Sequence, residues 1–314
     1  MKSRAIVVGA VTLAVAVCLP AASSADVLIV KSETLPQYDA PASAFRSATG
    51  HETFEVSIAG SREEGERRLR KAVAGRDIDA VYALGARASY LARVVLPDSP
   101  LVFSMVVDWH RYDLDRGATT GVALEMPVDA LFTRFKLMLD GLDTVGVVYS
   151  KSTAPALIAD ARAAAELLGI ELVEEEVANG DEVAGAYRRM RTEIDALWMV
   201  PDPVVVTRDN FAYLTDRCRN DGVSFLAFSE NFVRAGALLS VAPSYETMGA
   251  QAAVLLEKLL AAPDSPPDVQ SPVGSNLVVN ARTAAALGFD LNATTIGMAD
   301  VIVDLASAGE VEAR

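Results

Sequence analysis

Polar and aromatic side chains that could bind a small solute follow the ends of several predicted β-strands in this 314-residue chain. In chain order they are Ser32, Tyr38, Gly85, Asp108, Trp109, Tyr149, Asp202, Ser229 and Glu230. Hydroxyl groups, carboxylates and N–H groups at helix N-termini suit a polar or zwitterionic molecule, and aromatic rings can cover its apolar part. The same residue types also form helix caps and turns, so the prediction depends on their shared position.

The sequence offers no arrangement of residues for catalysis. It contains no glycine-rich dinucleotide motif, no phosphate-binding loop and no Gly-x-Ser-x-Gly nucleophile motif. His51 precedes a predicted strand, and His110 lies in a loop with scattered acids, whereas a metal site needs three or four convergent ligands. Cys218 lies on a predicted helix, where a lone cysteine is usually a packing residue. We therefore predict a protein that is not an enzyme, with no cofactor and no metal.

Strands and helices that alternate along the chain would position the solute-binding residues. Strands are predicted at residues 27–30, 53–58, 80–84, 100–106, 121–124, 144–149, 170–173, 196–200, 224–228, 237–241 and 276–280. Helices are predicted at residues 61–74, 86–95, 128–139, 154–168, 181–191, 206–220, 245–261 and 281–287. This alternation is typical of the α/β class with parallel sheets, and two such series favour two doubly wound lobes. Because ligands bind beyond the carboxyl ends of such strands, we expect one central cleft between the lobes.

The first 25 residues have the pattern of a secretory signal peptide. Lys2 and Arg4 precede an apolar run over residues 5–19, and small residues 21–25 suit cleavage before Asp26. The alternative is a lipoprotein modified at Cys18, but Val17 is too large for the position before a lipidated cysteine. We therefore expect export to the periplasm.

The composition limits the partners of the exported chain. The net charge is −14, and loss of Lys2 and Arg4 would make it −16. Such an acidic protein is repelled by phosphate backbones, which excludes nucleic acid as a partner. With Cys18 removed, Cys218 would be the only cysteine, so no disulfide could form within the chain.

Residues 228–253 resemble a signature of the substrate-binding proteins of ABC transporters. Further matches lie at residues 83–88, 120–122, 200–203 and 280–288, so the resemblance extends over nearly the whole mature chain. The sub-family it resembles includes binders of tryptophan and other aromatic amino acids. The resemblance implies a type I periplasmic-binding-protein fold, in which two α/β lobes joined by three crossovers close around one solute.

Three positions depart from the pattern of that family. Ala86 stands where a threonine is common, Trp109 where a proline is common, and Ser244 where an acidic residue is common. All three lie where the family would bind its ligand. The amino-acid specificity of the family is therefore not carried over, and the identity of the solute stays open.

The resemblance also implies domain boundaries. We expect a first lobe at residues 26–122 plus 242–275, a second lobe at 123–241 plus 276–290, and a C-terminal tail at 291–314. Crossovers are expected near Gly121, near Val241 and in the proline-rich linker at residues 262–268.

The function implied is that of a monomeric receptor that delivers its solute to the permease of an ABC importer. One alternative is a sensory input for a transmembrane kinase or cyclase, and a more distant one is an exported hydrolase. In the cleft, Asp202 or Glu230 would pair with an ammonium group of the ligand. Ser32 and Gly85 would lie against its carboxylate. Tyr38 and Trp109 would cover its apolar body.

Overall fold

The computed structural model describes residues 26–151, 153 and 155–304. The predicted signal peptide and the alternative lipid attachment at Cys18 fall outside these residues. Within the described part, no helix has the length and apolar character needed to cross a bilayer.

The first lobe is built on a sheet of five parallel strands in the order β2-β1-β3-β4-β5. The strands are β1 (Asp26–Lys31), β2 (Glu52–Ser57), β3 (Ala80–Leu84), β4 (Leu101–Ser104) and β5 (Thr119–Gly121). The helices that follow the first three strands are α1 (Asp39–Ala48), α2 (Arg62–Val73) and α3 (Ala86–Val95). Four residues of β1, from Val27 to Val30, are fully buried, as expected for a strand covered by helices on both faces.

The second lobe is built on a seven-stranded sheet in the order β12-β11-β10-β9-β8-β6-β7. Its strands are β6 (Thr144–Ser150), β7 (Glu171–Val177), β8 (Ala196–Trp198), β9 (Ser224–Ala227), β10 (Leu239–Pro243), β11 (Ser275–Asn280) and β12 (Val301–Val303). Its helices are α4 (Val128–Met138), α5 (Pro155–Leu168), α6 (Val183–Met190), α7 (Arg208–Asp221), α8 (Glu230–Arg234), α10 (Ala281–Ala286) and α11 (Ala293–Met298). The prediction of two α/β lobes is confirmed.

One helix, α9 (Tyr245–Ala261), follows a strand of the second sheet but packs on the first. Its apolar residues, including Met248, Leu255 and Leu256, form one cluster with Val27 and Tyr82 of the first sheet. The chain therefore leaves the second lobe at the carboxyl end of β10 and must return to it at the same end. As a result β11 runs antiparallel to β10, a reversal that the prediction of parallel sheets did not include.

The segments that connect the two sheets lie side by side. The amide of Ala123 donates to the carbonyl of Gln270 at 2.8 Å, and the amide of Gln270 donates to that of Gly121 at 3.0 Å. The amide of Ser244 donates to the carbonyl of Gly274 at 3.0 Å. The side chain of Gln251 on α9 donates to Ser271 O at 2.9 Å and accepts from Val273 N at 3.2 Å. These bonds tie the connecting segments into one narrow hinge.

Several regions differ from the sequence-based expectations, including the short helix α8, which was not predicted. Residues 39–48 form α1, which was not predicted because Pro41 interrupts the helical pattern; proline is nevertheless tolerated in the first turn of a helix. Residues 291–303, expected as part of a tail, include α11 and β12. The strand β12 pairs with β11 and extends the second sheet by one strand.

The strand β7 forms one edge of the second sheet and carries consecutive glutamates. Arg162 of α5 contacts Glu174 at 2.7 Å, and Arg189 of α6 contacts Glu175 at 2.6 Å. These hydrogen bonds lower the pKa of both carboxyls. Since neighbouring strand residues point to opposite faces of the sheet, β7 carries one of these ion pairs on each face.

The close packing of α1 against α9 leaves no room for a side chain at Gly249. A Cβ atom at this position would overlap the backbone of Pro41, so Gly249→Ala should lower the free energy of unfolding by roughly 1–3 kcal/mol. Urea denaturation measures the change. Gly297→Ala in α11 is the matched control, because a Cβ there meets nothing within 4 Å. It should leave the stability unchanged or raise it by up to about 1 kcal/mol. Equal effects of the two substitutions would contradict the packing argument.

Candidate functional site

Three of the predicted residues converge in the first lobe, where β1 and β3 end. Ser32 is 5% exposed, and its Oγ accepts a hydrogen bond of 3.0 Å from the amide of Ala88 in the first turn of α3. Gly85 has a φ of 92°, a conformation that favours glycine. A Cβ atom on Gly85 would lie 2.6 Å from Ser32 Oγ and 2.9 Å from the Tyr38 hydroxyl oxygen. The missing side chain therefore lets both hydroxyl groups approach the N-terminus of α3.

A second tyrosine, Tyr245, belongs to the same wall of the first lobe. Tyr38, Tyr245 and Leu124 are partly buried against the apolar cluster beneath α1 and α9. Burial raises the pKa of both tyrosines, and proximity to Tyr38 raises that of Tyr245 further. Tyr245 was not among the residues predicted from the sequence, although it directly follows Ser244 within the stretch that resembles the family signature.

An ion pair flanks this group. Arg87 Nη1 lies 2.9 Å from Glu33 Oε1 and donates to the carbonyl of Gly60 at 2.7 Å. Both side chains are more than one third exposed. Neither residue was predicted, because on sequence alone they resemble ordinary solvated charges.

The other two residues predicted in the first lobe lie in the loop after β4. Asp108 is in the left-handed region with a φ of 46°, and its side chain is 53% exposed. The Trp109 ring packs against the cluster beneath α2 and α3, with its centroid 5.9 Å from that of Phe103 and 3.7 Å from that of His110. Tyr38 packs on the opposite face of the sheet. The rings of Tyr38 and Trp109, which were both expected to cover the apolar body of the solute, therefore pack against different clusters.

In the second lobe, Asp202 organises the loops that follow β6 and β8. The residue is 0% exposed. Its Oδ2 accepts hydrogen bonds from the amide of Ser150 at 2.7 Å, from Ser150 Oγ at 2.8 Å and from the hydroxyl of Thr153. Its Oδ1 accepts from the amides of Val204 at 2.8 Å and Val205 at 3.2 Å. One carboxylate therefore holds two loops together.

The protonation of Asp202 follows from these contacts. Burial opposes the charged form, but the hydrogen bonds from Thr153, Ser150 and Val204 outweigh it and lower the pKa of Asp202 to about 2. The group is thus a buried anion solvated by hydroxyl and amide donors. With no exposed surface, it acts on the site by positioning the loop around Ser150.

Tyr149 does not point beyond its strand. Its ring packs against the cluster beneath α4 and α5, and its hydroxyl donates to Glu174 Oε2 on β7 at 3.1 Å. The strand continues to Ser150, so Tyr149 still belongs to the sheet. Alternation then directs Ser150, rather than Tyr149, towards Asp202.

The last two predicted residues lie where β9 ends. Ser229 is the N-cap of α8, and its side chain makes no capping hydrogen bond. Glu230 is in the first turn of α8, and its side chain is 44% exposed. Its Oε1 accepts from Arg234 Nε at 2.8 Å, so the carboxylate is both paired and accessible. No group of three or more metal-ligating side chains occurs in the described part of the chain.

Comparisons with known proteins identify the kind of molecule to which this arrangement belongs. The family described as "ABC transporter substrate binding protein" matches residues 57–302. No curated protein matches the sequence.

Solved structures share the fold at low sequence identity. An ABC domain in complex with L-Trp from Streptococcus pneumonia is 17% identical, covering 90% of this chain and 100% of its own, with a TM-score of 0.55. A ligand-free, open substrate-binding protein with adhesive properties from Clostridium difficile is 18% identical, covering 86% and 96%, with a TM-score of 0.71. A conserved domain protein from Vibrio cholerae is 20% identical, covering 89% and 99%, with a TM-score of 0.54.

The buried Asp202 anion predicts a specific dependence of stability on pH. Its pKa lies below the ordinary value of 3.8, so the stabilisation is fully present above pH 3.8 and is lost as the pH falls towards 2. The shift corresponds to about 2 kcal/mol. Asp202→Asn should therefore be less stable than wild type near neutral pH, with the difference shrinking below pH 3.8.

Chemical denaturation at a series of pH values measures this difference. Asp264→Asn is the control, because Asp264 is exposed in the proline-rich linker and its replacement should leave the pH profile unchanged. A gap between wild type and Asp202→Asn that stays constant down to pH 2 would refute the assignment.

Proposed function

We propose, from the premise that this chain belongs to the ABC transporter substrate-binding protein family, that it is an extracytoplasmic receptor for a small polar or zwitterionic solute. The solute is bound between the two lobes and delivered to an ABC importer. In this role the protein binds its ligand without transforming it.

The observation that carries this proposal is the hinge between two α/β lobes, each built on its own sheet. In parallel α/β sheets, ligands bind beyond the carboxyl ends of the strands, and the group around Gly85 and the Asp202 loops lie at such ends. A narrow hinge of three adjacent segments allows rotation of one lobe against the other with few bonds to rearrange. A receptor that closes on its ligand needs this combination.

Individual residues have distinct roles in the proposal. A carboxylate of the solute would lie near Ser32 and Gly85, where the N-terminus of α3 favours negative charge. Tyr38 and Tyr245 would cover the apolar part of the solute. Glu230, which is partly exposed, would receive an ammonium group in competition with Arg234.

The first ligands to test are amino acids, including aromatic ones. The likeness to the L-Trp complex motivates the aromatic group, and the two tyrosines of the first lobe are compatible with it. Small carboxylates, nucleosides and aromatic compounds extend the screen to solutes that lack an ammonium group.

A ligand that closes the lobes should raise the melting temperature in a thermal-shift screen. At a concentration 100 times its Kd, binding adds about 2.7 kcal/mol to the stability. Tyr38→Phe and Ser32→Ala should weaken the shift, because each removes a hydroxyl near Gly85. Tyr90→Phe is the matched control, since Tyr90 is exposed on α3 and its hydroxyl accepts a hydrogen bond from the exposed side chain of Arg62.

Three outcomes would count against the proposal or redirect it. Equal shifts in Tyr38→Phe, Ser32→Ala and Tyr90→Phe would remove the Gly85 group from the site. Turnover of a bound compound by the purified protein would show that it is an exported hydrolase and not a receptor. Binding of the liganded protein to a transmembrane kinase or cyclase, and not to a permease, would show that it acts in sensing and does not deliver the solute to an importer.

A further inference from the structure

The loop after β4, here called the Trp109 loop and comprising residues 105–113, is held in a strained conformation. Met105, Asp108 and Asp113 have φ values of 61°, 46° and 51°, which non-glycine residues rarely adopt. Such strain persists only where the surrounding structure enforces it. Near the middle of the loop, the packing of the Trp109 ring on Phe103 supplies a restraint.

A second restraint comes from outside the first sheet. Glu125 Oε1 accepts a hydrogen bond of 2.7 Å from the amide of Asp108. The donor belongs to one of the strained residues, and an ionised acceptor makes this a strong type of hydrogen bond. Glu125 itself lies between Leu124, which packs on the first lobe, and α4, the first helix of the second lobe.

Glu125 is connected to the rest of the hinge through the backbone. Ala123, two residues earlier, bonds to Gln270, and the side chain of Gln270 bonds to Gln251 at 3.2 Å. Because Leu124 packs on the first lobe and α4 begins the second, rotation of the lobes changes backbone torsions in the segment between them, residues 125–127. Such a change moves the Glu125 carboxylate relative to the Asp108 amide.

We propose that Glu125 is a positioning residue that couples the Trp109 loop to the hinge, so that the loop changes conformation when the lobes rotate. This inference deepens the proposed function and rests on it for its biological meaning. The coupling is a property of the ligand-free protein, however, so it can be tested without knowing the solute.

The test uses the intrinsic fluorescence of Trp109. The chain contains two tryptophans, so a Trp198→Phe background leaves Trp109 as the only one. In this background Glu125→Ala should increase acrylamide quenching of Trp109 and raise the exchange rate of the Asp108 amide about ten-fold, as expected for loss of a charged hydrogen bond. Glu125→Gln keeps an acceptor oxygen and should stay close to wild type. Asp129→Ala, an exposed carboxylate on α4, is the control and should change neither quantity.

A double-mutant cycle separates coupling from a merely local role. Gln251→Ala frees the connecting segment at residues 270–273 and should increase quenching of Trp109 when Glu125 is present. In the Glu125→Ala protein the same substitution should have no further effect. Gln251→Met, which keeps the side-chain length, serves if Gln251→Ala fails to fold. Unchanged quenching in Glu125→Ala, or an effect of the Gln251 variants that is absent or equal in both backgrounds, would overturn the proposal.

Discussion

The architecture depends on one constraint, which is that the chain passes between its two sheets through segments that must lie against each other. The bonds from Ala123 to Gln270 and from Ser244 to Gly274 satisfy backbone groups that would otherwise be left unpaired between the lobes. Gln251 adds side-chain bonds from α9, which is why a polar residue is tolerated in a mostly apolar helix. The reversal of β11 and the packing of α9 on the first sheet both follow from this shared connection.

The candidate binding surfaces of the two lobes are positioned by different interactions. The first lobe uses the absence of a side chain at Gly85 to bring two hydroxyl groups to a helix N-terminus. The second lobe uses a buried charge, because Asp202 gathers donors from two separate loops. A wall ordered by one carboxylate keeps its shape without relying on the solute, so less conformational entropy is lost when a solute binds.

Much of the fold could be predicted from the sequence, because buried strands and amphipathic helices have clear periodicity. The helix α1 could not, since Pro41 conceals its pattern, and β12 could not, since its pairing with β11 is a contact that the local sequence does not show. Residue types at strand ends drew attention to Ser32 and Gly85, and the structure shows that the Tyr38 hydroxyl lies beside them. Tyr149 lies within the sheet because β6 extends one residue further than predicted, to Ser150. The Trp109 ring is held in place by its contact with Phe103. Neither leaves a signal in sequence.

The charged edge strand β7 has a consequence for the behaviour of the molecule at high concentration. An exposed strand edge is a template on which another polypeptide can add a strand, and this is a common route to aggregation. On β7, an incoming strand would meet the ion pairs of Glu174 and Glu175 with arginines from the flanking helices. Its side chains would have to displace these pairs or bury charge beside them, and both are unfavourable. The ion-paired glutamates thus disfavour the addition of a strand from another polypeptide at this edge, and they do so without changing the hydrogen bonds within the sheet.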